Sequence, residues 1–274
     1  MEFRDLKTLV DLRKVVELEK LVWGFDGEDV VPIPLFVIAI KRGGILIGAF
    51  DDYGEMVGFV YSLPGLRNGQ KTQWSHMLGV TPGQQSSGVG YRLKCEQRNR
   101  ALGFGVDLIE WTYDPLQAMN AYFNFKKLGA IVEEYGENVY GDTSSPLHRG
   151  NPTDRFIAQW WIRGSKVSDR IENVTSCHKS KDLWEVAAVN RAESSGEWVR
   201  CGSVDLVKSE RELAVEIPAE FNSMLSGDPE LAREWRTATR EIFTTYFARG
   251  YRVVDFSLAK ETNRGRYLLV QNEM

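Results

Sequence analysis

The stretch HMLGVTPGQQSSGVGYR, residues 76–92, decides the fold of this chain. It is rich in glycine, glutamine and serine, and it separates two segments of opposite character. The residues before it alternate as in a strand, and those after it have the spacing of a helix. Because glycine-rich turns between a strand and a helix commonly hold phosphate groups, the sequence predicts a phosphate-binding loop here.

Two familiar phosphate loops do not match this stretch. A Walker loop needs Lys followed by Ser or Thr after its last glycine, whereas Gly90 is followed by Tyr91 and Arg92. A dinucleotide fingerprint needs Gly-x-Gly-x-x-Gly within a parallel unit, and the strands predicted before this loop are antiparallel.

The physical properties of the loop still favour an anion. Gly88 and Gly90 remove side chains where backbone must approach a ligand closely. The N–H groups from Gln85 to Gly90 can point inward at the start of a helix, where the helix dipole favours negative charge. The alternative is a loop that only caps the helix.

Apolar periodicity divides the first part of the chain into helices, antiparallel strands, and then a strand–loop–helix–strand–helix–strand series. One helix is predicted over Asp5–Trp23 and a second over VPIPLFVIAIKRGG. Later helices are predicted from Val89 to Leu102 and over LQAMNAYFNFKKLG. The predicted strands are ILIGAFDD, MVGFVYSLP, TQWSHMLGV, VDLIEWTY, AIVEEY and NVYGD, of which the last two form a hairpin.

A turn-rich segment at 143–153 predicts a boundary between a first domain at 1–150 and a C-terminal α/β extension at 151–274. The extension contains a strand, LAVEIP, a helix with Asp228 as N-cap and Pro229 in its first turn, and a strand, YRVVDFSL. One interpretation is a degenerate half-copy of the first domain's core. Chance is the alternative, because such units are common.

Composition disfavours several classes of protein. The 274 residues are 43% apolar and 26% charged, with a formal net charge of −4 that disfavours a nucleic-acid partner. No apolar run approaches the ~20 residues that span a bilayer, and no signal peptide is apparent. The three cysteines form no disulfide or metal pattern. We therefore expect a cytoplasmic protein that binds neither a metal ion nor a membrane. Whether it forms a homodimer is left open by the sequence.

The loop and its flanks resemble the GNAT superfamily of acyltransferases. The GNAT signature (Gln or Arg, two residues, Gly, one residue, Gly or Ala) matches Gln85-x-x-Gly88-x-Gly90. The element order resembles GNAT over 1–140, and the likeness is strongest over 74–130. The segments WSHMLGV, WTYDPL and NAYFNFKKLGA are similar to a prokaryotic subgroup with a C-terminal extension. The resemblance implies an α+β fold, with a mixed, mostly antiparallel sheet flanked by helices.

The resemblance also implies the ligand. The loop would hold the pyrophosphate of acetyl-CoA or another acyl-CoA. In this family the strand before the loop splays from its neighbour, and its backbone pairs with the pantetheine arm and polarises the thioester carbonyl. The implied cofactor-binding residues are Leu78, Gly79, Val80, Gln85, Ser86, Ser87, Gly88, Val89, Gly90, Tyr91, Asn120 and Phe123.

Acylation of an amine needs a base, and His76 is the first candidate because an imidazole pKa lies near neutrality. It lies on the strand before the loop and is predicted to share a face with Leu78 and Val80. Some GNAT members place a histidine there; the alternative is a half-buried packing histidine. Glu110 is the second candidate, with an ion pair to Arg or Lys as its alternative role. His148 and His178 are expected to be surface residues.

The sequence departs from the GNAT pattern at the general acid. Many GNAT enzymes place a tyrosine before the helix end at Gly129, and here that position is Phe125. Tyr122 is the first replacement candidate, with Tyr113 and Tyr91 as others.

The predicted function is direct transfer of an acetyl group, or a succinyl group, from CoA to a small amine or amino acid. The alternative is a non-catalytic acyl-CoA sensor.

Overall fold

The structure, a computed structural model, describes residues 1–24, 29–141, 150–172 and 182–272. These residues form two compact units. The first contains Met1–Trp111 and Trp161–Gly164, and the second contains the described parts of 112–160 and 165–272. No described helix has the length and apolar character needed to cross a bilayer.

The first unit opens with a short strand and two helices: β1 (Glu2–Asp5), α1 (Leu9–Trp23) and α2 (Ile33–Lys41). The helix predicted from Asp5 begins later because Thr8 caps it, accepting a hydrogen bond from the Asp11 N–H, while the Asp11 carboxylate bonds back to the Thr8 backbone. The residues before this capping box pair with the next strand. Gly24, with φ 66°, ends α1.

Three antiparallel strands follow, β2 (Ile45–Phe50), β3 (Met56–Arg67) and β4 (Gln70–Val80). The loop leads from β4 into α3 (Val89–Gly103), and β5 (Leu108–Tyr113) then lies parallel to the start of β4. The predicted fold class, a mixed and mostly antiparallel sheet with helices, is confirmed.

One apolar core holds α1 and α2 on β2, β3 and β4. Its buried members are Leu6, Leu12, Val15, Leu18, Val31, Phe36, Ala39, Leu46, Phe50, Met56, Phe59, Tyr61 and Met77.

The second unit begins with α4 (Ala118–Tyr122), which continues as a π-helix over Phe123–Leu128. Its other elements are β6 (Ile131–Gly136), β7 (Arg155–Trp161), α5 (Ser165–Glu172), β8 (Asn190–Ser195), β9 (Trp198–Val204), β10 (Glu212–Pro218), α6 (Phe221–Gly227), α7 (Pro229–Ala248), β11 (Tyr251–Ala259) and β12 (Arg264–Gln271). The strand order is β7-β6-β11-β12-β10, and β8 pairs with β9 in a separate hairpin.

The predicted hairpin between AIVEEY and NVYGD is wrong. β6 pairs instead with β7, whereas residues 138–141 form a turn in which Asn138 adopts a φ of 41°. Residue 142 lies outside the described residues. The pair β6–β7 joins the two sides of the predicted boundary at 150, and the division into 1–150 and 151–274 remains a prediction.

The C-terminal strand–helix–strand series is present, and Asp228 caps α7 as predicted by accepting the Leu231 N–H. Its pairing differs from the first unit's, because β12 lies between β10 and β11 and is antiparallel to both. In the first unit the corresponding strands β4 and β5 pair directly. The half-copy interpretation therefore extends to element order and not to sheet pairing.

Two ion pairs, each with one buried partner, hold α7 within the second unit. Arg236 binds both carboxylate oxygens of Asp114 at 2.7 and 2.6 Å, and Arg240 binds both oxygens of Asp154 at 2.8 Å. The Tyr135 hydroxyl also donates to Asp154. Such pairs lock the geometry of buried elements, because loss of one partner leaves an uncompensated charge.

Candidate functional site

The glycine-rich loop places an uncapped helix end at the surface. A 3₁₀ turn at Pro82–Gln84 is followed by Ser86 at φ 65° and Gly88 at φ 87°, both left-handed. Gly88 is the N-cap of α3, and within the part of the chain that the structure describes no side chain caps this end. The first N–H groups of a helix have no intrahelical acceptor, so this end can bind an anion.

Gly90 leaves space that the protein itself does not fill. A Cβ at Gly90 would lie 3.7 Å from Val80 Cγ2 and 3.8 Å from Leu78 Cδ2, which are ordinary contacts. Packing therefore does not demand a glycine here. Gly79 differs, because a Cβ there would lie 2.9 Å from the Trp23 ring. The side chains of Leu78 and Val80 thus face α3, and position 79 faces the α1–α2 core.

Strands β4 and β5 form a fork. They pair at Thr72–Leu108, Gln73–Ile109 and Trp74–Glu110, and the pairing then stops although β4 continues to Val80 and β5 to Tyr113. The edge of β4 from Ser75 to Val80 that faces β5 is therefore left without a β5 partner. An extended ligand can use such an edge as it would a neighbouring strand.

His76 is the extra residue of a β-bulge. Tyr61 pairs with Met77 and Ser62 pairs with Ser75, so no residue of β3 lies opposite His76. Its ring meets the Tyr61 ring edge-on, with centroids 6.0 Å apart. Tyr61 belongs to the α1–α2 core, so the expectation that His76 shares a face with Leu78 and Val80 is wrong. The bulge interrupts the alternation on which that expectation depended.

The surroundings of His76 favour its neutral form. His76 is an exposed residue, yet the protein atoms around it exclude enough water to lower the pKa of its imidazole below the usual value. A neutral imidazole can accept a proton at neutral pH.

Glu110 forms an ion pair. Its buried carboxylate accepts a hydrogen bond from the guanidinium of Arg67, a residue that the sequence did not single out. The alternative role given to Glu110 is therefore realised.

A buried acid and a phenol lie beyond His76, and sequence reasoning missed both. Glu19 accepts the Val31 N–H through Oε2 at 3.0 Å. Its Oε1 and the Tyr61 hydroxyl are buried, with no hydrogen-bond partner among the described residues. Burial raises the pKa of Glu19 to about 7, and burial together with the charge of Glu19 raises the pKa of Tyr61 to about 12. A signal existed: Glu19 lies on the apolar stripe of α1 with Leu12 and Val15.

The remaining predicted residues lie in the second unit. Asn120 is exposed on α4, and Tyr122 and Phe123 are half-buried. Phe125 is fully buried, and its ring meets that of Tyr267 with centroids 5.8 Å apart, so it is a core residue.

The surroundings of Tyr113 and Tyr91, the other candidates for the general acid, favour the protonated hydroxyl. Tyr113 is buried, and burial raises its pKa. Burial raises the pKa of Tyr91 to about 12 and also raises the pKa of the neighbouring Cys95 thiol. His148 and His178 lie outside the described residues.

Known structures of similar fold include three acetyltransferases. Aminoglycoside 6′-acetyltransferase type Ii is 19% identical over 60% of this chain and 99% of its own, with a TM-score of 0.48. The ribosomal-protein-S18-alanine N-acetyltransferase from Escherichia coli is 16% identical over 60% of this chain and 95% of its own, with a TM-score of 0.47. A structure from Desulfovibrio desulfuricans, described as belonging to the GNAT family, is 18% identical over 59% of this chain and 98% of its own, with a TM-score of 0.46.

Neither a family model nor a curated protein sequence matches this chain.

Glu19 should make stability depend on pH. Its pKa of about 7 in the folded state exceeds the ordinary 4.5, so the folded state holds the proton more tightly. Wild-type protein should therefore lose stability as pH rises from 4.5 to 7, by up to ~3 kcal/mol from this group. Glu19→Gln, which can still accept the Val31 N–H, should remove that loss.

Urea unfolding at several pH values measures this effect. Glu17→Gln, on the exposed face of the same helix, is the matched control and should follow the wild-type curve. Parallel pH curves for Glu19→Gln and wild type would show that Glu19 titrates normally.

Proposed function

We propose that the chain is an acyl-CoA-dependent N-acyltransferase that transfers an acyl group directly to the amine of a small molecule or amino acid. One observation carries this proposal: the β4 edge that β5 leaves unpaired is followed, after the glycine-rich loop, by a helix N-terminus without a side-chain cap among the described residues. An extended arm that ends in phosphates has the shape and charge to use both features, and acyl-CoA is such a ligand. Acetyl is the first choice of acyl group, and succinyl is the second.

The phosphate end would lie at the loop. The N–H groups from Gln85 to Tyr91 and the positive end of the α3 dipole suit a pyrophosphate. The space at Gly90, bordered by Leu78 and Val80, lets the ligand pass close to the helix. Asn120 of α4 and Phe123 of the π-helix that follows it are the other proposed contacts, through the amide and through the ring.

The bulge supplies the chemistry. His76 removes a proton from the acceptor ammonium, and the amine nitrogen then attacks the thioester carbonyl. A backbone N–H of the unpaired β4 edge stabilises the oxyanion. The C–S bond breaks, and the thiolate takes a proton, for which Tyr122 is the proposed donor. The amide nitrogen gives up its second proton, which restores the Tyr122 phenol. Glu110 is the second choice as base.

A non-catalytic acyl-CoA-binding module is the second candidate function. The observation that favours it is Phe125, a fully buried residue at the position where many GNAT enzymes carry their acidic tyrosine. Such a module would bind acyl-CoA through the same loop and release no thiol.

Substitution of Gly90 tests the loop. Gly90→Ala should keep the fold, because its Cβ meets only ordinary contacts and alanine favours a helix. It should weaken CoA binding at least ~10-fold, a cost of about 1.4 kcal/mol, because the Cβ takes up ligand space. Isothermal titration with CoA measures this effect.

Gly103→Ala is the matched control, since it changes a glycine at the other end of α3 with nothing near its Cβ. Equal CoA affinity in the two variants would mean that the start of α3 does not contact the ligand.

Substitution of His76 tests the base. His76→Gln should lower kcat about 10²- to 10⁴-fold, because the acceptor ammonium then has no positioned base. Its CoA affinity should stay within about 2-fold of wild type, since His76 does not face the loop side of β4. Steady-state rates of thiol release and CoA titration check both values. If turnover is unchanged, proton removal falls to Glu110 instead.

A further inference from the structure

Lys94 is a buried lysine of α3 that the proposed chemistry does not use. Its Nζ donates to Ser75 Oγ at 3.0 Å and to Gln97 Oε1 at 2.9 Å. The same nitrogen lies 3.8 Å from the centroid of the Trp111 ring. Lys94 is only 2% exposed, and Ser75, Gln97 and Trp111 are also buried.

These contacts lie at the branch point of the fork. The last pair between β4 and β5 is Trp74–Glu110. Ser75 is the next residue on β4, and Trp111 is the next residue on β5. The Lys94 amine therefore contacts each strand at the first position where the two have parted.

The pairing of Ser75 with Gln97 does not depend on the amine. Ser75 and Gln97 also bond to each other, since Gln97 Nε2 donates to Ser75 Oγ at 3.0 Å and Ser75 Oγ approaches Gln97 Oε1 at 3.3 Å. Both would stay bonded without the lysine. Burial lowers the pKa of Lys94 well below its usual value, so the folded state disfavours its charged form.

We propose that Lys94 is a positioning residue that holds β4 and β5 apart at Ser75 and Trp111, and so keeps the β4 edge open for the acyl-CoA arm. This inference rests on the proposed function. Without the amine, parallel pairing can continue past Trp74–Glu110, because both strands already extend beyond it. The edge from Ser75 to Val80 would then bond to β5 instead of to a ligand.

Lys94→Met tests the proposal, because methionine keeps the length of the side chain and removes the amine. We expect a higher Tm, by ~2–4 °C, together with at least ~10-fold weaker CoA binding. A residue with a merely structural role would give the opposite, a lower Tm. Hydrogen exchange of the backbone over residues 75–80 should also slow, since the N–H groups of this segment that face away from β3 gain β5 as a partner.

Two further variants complete the experiment. Lys20→Met, at an exposed position of α1, is the control for loss of a lysine and should bind CoA as wild type does. Ser75→Ala removes the contact of Lys94 with β4 and should weaken CoA binding in the same direction, by a smaller factor.

The outcomes separate this inference from the function on which it rests. If wild-type protein binds no CoA, the proposed function fails first. If wild type binds CoA and Lys94→Met binds it equally, or if Lys94→Met melts lower and exchanges faster, the positioning role is overturned while the function stands.

Discussion

The parting of β4 from β5 is the constraint on which the rest of the first unit depends. Two parallel strands normally pair along their shared length, because each unpaired N–H and C=O loses a hydrogen bond. Here the pairing stops at Trp74–Glu110 while both strands continue. The protein thus keeps an open edge within a sheet, and that edge leads into the uncapped end of α3. An open strand edge followed by an anion site at the next helix suits a ligand with an extended arm and a phosphate end.

The bulge at His76 divides the two faces of β4 between two tasks. Leu78 and Val80 face the start of α3, whereas the His76 ring meets Tyr61 on the side of α1 and α2. Bulges often re-aim a side chain beside an active site. The candidate base therefore lies on the face of the α1–α2 core. Glu19 and Tyr61 are buried there, each with an oxygen that has no hydrogen-bond partner among the described residues.

Much of this arrangement could be predicted from local sequence. The loop, α3 and the start of α7 follow from glycine, proline and Asp228 at helix ends, because those signals act over a few residues. The partner of β6 could not be predicted this way, since β7 lies across a long connection and pairing depends on the tertiary fold. The one-residue bulge at His76 has no signal in WSHMLGV, and it reversed the predicted face.

The buried polar residues were hidden for a different reason. Lys94 and Gln97 are both buried in α3, so the charged and amide side chains that normally mark a solvent face mark a buried one here. Glu19 is the exception, because its place on the apolar stripe of α1 could have identified it. Arg67 pairs with Glu110 across strands, and no sequence spacing indicates that contact.

The most direct test of the central claim is the melting temperature of the wild-type protein with and without saturating CoA. A ligand that binds the folded state at 100 times its Kd adds about 2.7 kcal/mol of stability. The account predicts a clear rise in Tm with CoA, and a smaller rise or none with pantetheine, which lacks the phosphates. No shift with CoA at millimolar concentration would contradict the assignment of the β4 edge and the α3 N-terminus as an acyl-CoA site.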